Sequence, residues 1–302
     1  MTGVQHKSHS QILAACRAAV SHSIRLVPWE VRASIKRIPL LAWCQRALLK
    51  HLLTDHEFVH RIDAGPAAGL LFPIVLPQDK GIWTGTYELS FVQAIAAAVD
   101  PGSICFDIGG WRGYVAGVMA RAGASKVVIF EPLPANIERI RRMIELNAAL
   151  AQFEVAECAV GDREGTAQFH LMPETSMGKL ETSDFQSDRR GAMQIHVPVV
   201  SIDSFCETSG ITHVHLIKLD IEGAELLALR GATRTLERHR PRLFVEAHSR
   251  TLTTEVTSFL AARSYSVTVL ETGAPPDGRS EPEICHLVAT PNPLTEPTCG
   301  GC

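Results

Sequence analysis

The run Ile104-Cys105-Phe106-Asp107-Ile108-Gly109-Gly110-Trp111-Arg112-Gly113 decides the fold. Ile104–Asp107 reads as a short apolar strand, and Gly113–Gly123 reads as a helix ended by glycine. The glycines between them let the backbone turn sharply and let a ligand approach with no Cβ in the way. Open α/β sheets bind ligands at the carboxyl ends of their strands, near the point where strand order reverses.

The alternation continues outward from this turn. Strands are expected at Val127–Glu131, Phe153–Val160, His215–Leu219, Leu243–Ala247, 265–271 and Ile284–Ala289. Helices are expected over Pro134–Leu150, from Gly223, and over 253–263. In the 134–150 helix, Ile137, Ile140, Ile144 and Leu146 are the candidate core residues. The fold class is therefore α/β, Rossmann-like, with a mainly parallel sheet and helices on both faces. Upstream, 57–77 predicts two short strands around Ala64–Gly69, and 87–98 predicts a helix with Leu89, Val92, Ile95 and Ala96 on one face. The polar segment 173–192 lies between strand-like stretches at 166–171 and 194–200, which predicts an inserted hairpin with a long loop. The expected organisation is an arm at 1–56, a main domain at 57–291 and a flexible tail at 292–302.

Composition narrows the class. The 302 residues are 46% hydrophobic and 20% charged, with a net charge of −3, which excludes a disordered or collagen-like chain. Residues 1–53 hold eight Lys or Arg against the single acid Glu30, so that segment is +7 and the other 249 residues are −10. The arm predicts interrupted helices, with a basic surface suited to an anionic membrane or a lipid-linked substrate. No uncharged stretch near the N-terminus is long and unbroken enough to span a bilayer. Six of the eight cysteines sit within apolar segments, as buried free thiols do; only Cys299 and Cys302 form a C-x-x-C. The expected location is cytoplasmic, with peripheral membrane contact through the arm.

Four constellations carry chemistry. Glu131 ends the strand after the glycine turn, where an acid accepts the ribose hydroxyls of a nucleoside. The turn reads G-G-x-x-G and follows Asp107; it is not the G-x-G-x-x-G of dinucleotide sites. A carboxylate there repels a pyrophosphate and attracts an ammonium group, which favours S-adenosylmethionine over a nicotinamide dinucleotide. Lys218-Leu219-Asp220-Ile221-Glu222-Gly223-Ala224-Glu225 and Glu246-Ala247-His248 follow two later strands and open on the same sheet edge. Asp220, Glu222, Glu246 and His248 can supply a general base or a hard divalent-ion site. Glu225 reads as an acid compensating a helix N-terminus, and Lys218 as a snorkelling strand residue.

Together these residues resemble the FkbM-type family of S-adenosylmethionine-dependent methyltransferases. The matching pieces include Gly85-Thr86-Tyr87-Glu88, Asp107-Ile108-Gly109-Gly110-x-x-Gly113-Tyr114 and Phe130-Glu131-Pro132-x-Pro134-x-Asn136. They continue with Ala159-Val160-Gly161-Asp162, Val200-Ser201-Ile202-Asp203, Ile217 through Glu225, and Phe244-Val245-Glu246-x-His248. The resemblance implies a methyltransferase fold and methyl transfer to a hydroxyl of a small molecule or sugar. It implies that Asp107, Gly109, Gly113 and Glu131 hold the donor and that Asp162 approaches its adenine. Trp111 stands where the family usually has Asn. The expected mechanism is in-line transfer with His248 or Asp220 as base, and Glu222 and Glu246 positioning the acceptor or a metal. The expected partner is a small-molecule or glycan acceptor. The rival readings are a nicotinamide oxidoreductase, a donor-binding scaffold without catalysis, and a nucleic-acid methyltransferase resting on the basic arm.

Overall fold

The computed structural model describes residues 57–171, 178–180, 193–278 and 282–293. The expected arm helices, the tip of the insert, the tail at 294–302 and the terminal C-x-x-C lie outside them. The chain divides into two compact units, residues 1–89 and 90–302.

In the first unit, β1 (Glu57–Arg61) and β2 (Leu71–Val75) pair antiparallel, with Phe58 opposite Ile74. These are the two strands the period-two pattern predicts. Helix α1 (Lys80–Thr84) follows, and Trp83 packs edge-on against Phe58 and His60.

The second unit is built on a seven-stranded sheet. Helix α2 (Leu89–Ala98) enters it, burying Phe91, Val92 and Ile95; Leu89, expected on its buried face, is exposed. Then come β3 (Ile104–Ile108), α3 (Tyr114–Ala122), β4 (Lys126–Phe130), α4 (Pro134–Asn147) and β5 (Gln152–Ala156). The expected strand over 153–160 is two strands in two sheets. β5 ends at Ala156, and after a turn at Glu157 and Cys158, β6 (Ala159–Val160) joins a second sheet. The insert supplies β7 (Gly165–Leu171), β8 (Gly178–Leu180) and β9 (Met193–Val200), close to the predicted hairpin. The main sheet resumes with α5 (Ile202–Thr208), β10 (Leu216–Leu219), α6 (Glu225–Arg230), α7 (Thr233–Arg238) and β11 (Arg242–Ala247). It ends with α8 (Arg250–Ala261), β12 (Tyr265–Val269) and β13 (Cys285–Pro291). The single helix expected from Gly223 is two, because the chain turns at Gly231 between α6 and α7.

Strand order is β12-β13-β11-β10-β3-β4-β5, all parallel except β13, which runs against both β11 and β12. Order reverses between β3 and β10. Right-handed crossovers in opposite directions from that point place helices on both faces. Phe106, Ile108, Val128, Phe130, Ile217, Leu219, Leu243 and Val245 make the sheet's share of the core, all essentially without exposure. Parallel strands covered on both faces read as continuous apolar runs, which is why they were legible.

Helix α4 turns a slightly different face inward from the one expected. Ile137 and Ile140 are buried, but Ile144 and Leu146 are half-buried, and Asn136, Met143 and Asn147 take the inner positions. The Asn147 side-chain amide donates to the Met143 carbonyl at 2.8 Å, so the buried amide is satisfied within its own helix.

The second sheet, β6-β9-β7-β8, packs Phe169 and Val197 with Leu133, Ala159 and Ala224, and Ile221 joins the same apolar group. The insert is thereby seated on the loops that follow β4 and β10. Cys105, Cys158, Cys206 and Cys285 are buried free thiols, as expected. Among the described residues no helix is long and apolar enough to cross a membrane.

Candidate functional site

The order reversal opens two neighbouring loops at the carboxyl edge, one after β3 and one after β10. The first holds its shape through backbone bonds to β4: the Gly109 and Gly110 N–H groups both donate to the Phe130 carbonyl at 3.0 Å. Gly109 has φ +81°, and a Cβ there would lie 1.8 Å from the Asp220 carbonyl oxygen. Gly109 is therefore required by the close approach of the two loops, as well as by its left-handed backbone. Gly113 caps α3 with φ +78°. Trp111 (φ +47°) and Glu222 (φ +57°), one in each loop, hold left-handed conformations without being glycine. Non-glycine residues in that region cost of order 1–3 kcal/mol and cluster at functional sites.

Asp107 lies beneath the first loop and is fully buried. Its Oδ2 accepts from the Ala116 N–H at 3.0 Å, and the Lys218 ammonium lies 3.3 Å from Oδ1. Burial pushes the carboxyl above its ordinary range, and Lys218 opposes that shift. Its charge is met inside the protein by the Ala116 N–H and the Lys218 ammonium.

Lys218, read from sequence as a snorkelling residue, is instead almost completely buried. Its Nζ donates to the Gly109 carbonyl at 2.8 Å and lies 3.4 Å from Asp220 Oδ2. One ammonium thus ties both loops and the end of β3 together.

Glu131 sits at the end of β4, where the sequence places it, and is buried. It accepts from the Trp111 N–H and the Leu133 N–H, each at 2.9 Å, and from the Asn136 side chain. Burial pushes its carboxyl up to about 7, against the pull of those donors and of Lys218. Asn136 appeared in sequence only as part of a motif; the structure makes it a support of Glu131. The Arg112 guanidinium lies 4.8 Å over the Trp111 ring, and burial, followed by the charge of Arg139, lowers it to about 10. Asp162 is exposed in the β6–β7 turn, 3.9 Å from Arg163.

The remaining four candidates converge. His248 follows β11 and is 4% exposed. Its Nε2 lies 3.6 Å from Asp220 Oδ1, 3.7 Å from Glu222 Oε2 and 3.9 Å from Glu246 Oε1. Its Nδ1 is 2.9 Å from Glu225 Oε1. That oxygen also accepts from the N–H groups of Ile221 and Gly223, at 3.2 and 3.1 Å. Burial draws the imidazole down, but Glu225 outweighs it, with help from Asp220 and Glu222, and pushes it up to about 9.

Glu225 is the residue that sequence reasoning missed. It opens a helix, where an acid is ordinarily exposed and serves the helix dipole. Here it is completely buried and fixes both the β10 loop and the imidazole. The signal available was its place at the end of the Lys-x-Asp-x-Glu-Gly-x-Glu string. His286 was also missed: stacked on Phe91, it is 3.9 Å from the second oxygen of Glu246 and hydrogen-bonded to Glu271. Nothing in its strand pattern marks it.

The other motif pieces are structural. Ser201 caps α5 by accepting from the Ser204 N–H. Asp203 accepts from the N–H groups of Arg234 and Thr235 at the start of α7.

A family model described as the methyltransferase FkbM domain matches residues 103–267. No curated protein gives a significant match. Among solved structures, a methyltransferase FkbM from Methylobacillus flagellatus KT is 21% identical with a TM-score of 0.44, over 62% of this chain and 43% of that one. The match thus spans less than half the length of that protein. A precorrin-6Y C5,15-methyltransferase from Geobacter metallireducens is 12% identical, with TM-score 0.40, over 67% of this chain and 89% of that one. The tRNA (uracil-54, C5)-methyltransferase of Pyrococcus abyssi, in complex with S-adenosyl-L-homocysteine, is 16% identical with TM-score 0.42, over 78% and 44%.

Proposed function

The chain belongs to the FkbM methyltransferase family, and from that premise we propose that it O-methylates a hydroxyl of a small molecule or glycan with S-adenosylmethionine as donor. The observation that carries this reading is the junction of the two loops at Gly109 and Asp220. It lies at the sheet edge where Glu131, which we assign to the donor's ribose, and the acid–imidazole cluster are also found.

The donor set fits such a nucleoside. Glu131 accepts two backbone N–H groups and one amide, and a carboxylate has further lone pairs for ribose hydroxyls. The edge is rich in carboxylates, and the Lys218 ammonium is turned onto Asp107, Asp220 and the Gly109 carbonyl. That charge pattern suits a sulfonium ligand and opposes a pyrophosphate.

When bound, the donor supplies an activated methyl group, displaced from sulfur as the acceptor oxygen bonds to it. The chain's own part is alignment and proton transfer. Reactants held in near-attack geometry can be spared about 7–11 kcal/mol of barrier. An alcohol is a poor nucleophile at neutral pH, and a positioned base contributes about 10²–10⁴-fold. Asp220 or His248 takes the hydroxyl proton, Glu222 and Glu246 orient the acceptor, and Glu225 holds the imidazole. The basic arm and the insert favour a glycan or lipid-linked acceptor.

Calorimetric titration with S-adenosylhomocysteine tests the donor, with NADH and Glu131→Ala as controls. Binding lost in Glu131→Ala is expected; no binding by folded protein overturns the reading. Near-wild-type turnover in both Asp220→Asn and His248→Ala would remove the base assignment.

A further inference from the structure

We propose that Asp220, Glu246 and His248 form a divalent-metal site of the manganese(II) type at the carboxyl edge of the sheet. The proposal rests on the reading of that edge as the acceptor side.

One ligand atom from each residue lies within 4.8 Å of the other two. His248 Nε2 is 3.6 Å from Asp220 Oδ1 and 3.9 Å from Glu246 Oε1. Bonds of about 2.0–2.2 Å put adjacent ligands of one ion about 3.0–3.6 Å apart, so the two His248 pairs are within a few tenths of an ångström of that range and the two carboxylates close on the ion as it binds. The three come from two adjacent parallel strands: Asp220 follows β10, and Glu246 and His248 share one face at the end of β11. Asp220 divides its oxygens, Oδ2 toward Lys218 and Oδ1 toward His248.

A second observation stands outside the three ligands. The His248 ring is almost completely buried, and its Nδ1 is held by Glu225, itself without exposure and anchored by two backbone N–H groups. A carboxylate that fixes one imidazole nitrogen and directs the other at an ion is the usual support of a metal-binding histidine. Charge points the same way. Asp107, Asp220, Glu222, Glu225 and Glu246 gather around Lys218 and His248, so carboxylates outnumber the side-chain cations. A divalent ion reduces that excess.

The donor set selects the ion. Two carboxylates and an imidazole suit a cation that takes both oxygen and nitrogen, whereas Mg²⁺ favours oxygen and retains its waters. Three protein ligands leave positions for the acceptor oxygen. An ion there polarises the hydroxyl and takes over the activation otherwise assigned to Asp220 or His248. The O–H bond would break with its proton passing to Glu222, the electron pair on oxygen would form the new C–O bond, and the methyl–sulfur bond of the donor would break with its electron pair leaving on S-adenosylhomocysteine. Glu222 is placed for this, 3.7 Å from His248 Nε2 and outside the ligand triad.

The test is titration of the EDTA-stripped full chain with Mn²⁺, reading the free ion by electron paramagnetic resonance. One saturable ion per chain is expected. Glu246→Gln and His248→Asn should each weaken binding at least tenfold, and Glu225→Gln about 10–100-fold. Circular dichroism and S-adenosylhomocysteine calorimetry on every variant report folding independently of the metal. No saturable Mn²⁺ in protein that binds S-adenosylhomocysteine overturns the proposal, as does binding indifferent to both ligand variants. Full methyl transfer in EDTA also overturns it and leaves the proposed function standing. Mn²⁺ binding without S-adenosylhomocysteine binding would do the reverse.

Discussion

Replacing Asp107 by Asn removes the negative end of a pair whose side chains are 1% and 3% exposed. Breaking a buried pair from one side costs about 3–5 kcal/mol, because the remaining charge is stranded. Lys218 is not wholly stranded, since the Gly109 carbonyl at 2.8 Å and Asp220 at 3.4 Å remain. The low end, about 3 kcal/mol, is therefore expected for Asp107→Asn. Lys218→Met leaves Asp107 buried without its cation, with the Ala116 N–H as its remaining donor; about 3 kcal/mol is expected there too. The double variant strands no charge. Its cost should fall short of the sum by about 2 kcal/mol, within the range measured for residues in contact. Urea unfolding of the four proteins at pH 7, with the slope checked for constancy, measures the cycle. Costs that add to within about 0.5 kcal/mol would mean that the pair is not what fastens the two loops.

Three further outcomes are expected. Glu131 titrates near 7 in the folded chain, above its unfolded value, so its contribution to stability is fully present below about 4.5 and lost as pH rises through about 7. The ionised form accepts ribose hydroxyls, so calorimetric affinity for S-adenosylhomocysteine should rise between pH 6 and 8; a flat profile refutes this, and Glu131→Gln should abolish the dependence. Gly109→Ala combines a left-handed backbone with a clash against the Asp220 carbonyl, costing about 2–5 kcal/mol by the two penalties together; a melting temperature near wild type would contradict it. Asp203→Ala removes the acceptor at the start of α7 and should cost about 0.5–2 kcal/mol in unfolding experiments while turnover per folded chain stays unchanged.

The sheet was legible because its strands are short apolar runs bounded by glycine and acid, from Ile104 to Val245. The insert was legible because its polarity broke that rhythm. The split at Glu157 and Cys158 was not: residues 153–160 carry no glycine or proline to break a strand, and only pairing partners far along the chain divide them. The site was legible as residue types and edges, because strand ends and glycine turns are local features. Its internal wiring was not. Lys218 and Glu225 look like surface residues when judged by their neighbours in sequence, and only tertiary packing buries them. Asp107 carries the same lesson in reverse. Its charge is conspicuous in the sequence, while its partners, Ala116 and Lys218, lie nine and 111 positions away.

The seating of the insert on Leu133, Ala224 and Ile221 has an evolutionary consequence. Those three contacts are apolar and small in number, while the polar bonds of the glycine turn run to β4, β10 and α3 instead. A lineage can therefore exchange the sequence between β7 and β9 wholesale, provided it keeps an apolar underside, without renegotiating the wiring beneath. On the reading proposed above, in which the insert helps shape the acceptor side, such a chain would diversify in what it modifies faster than in how it does so. A chimera carrying a relative's hairpin should inherit that relative's acceptor preference on an unaltered engine.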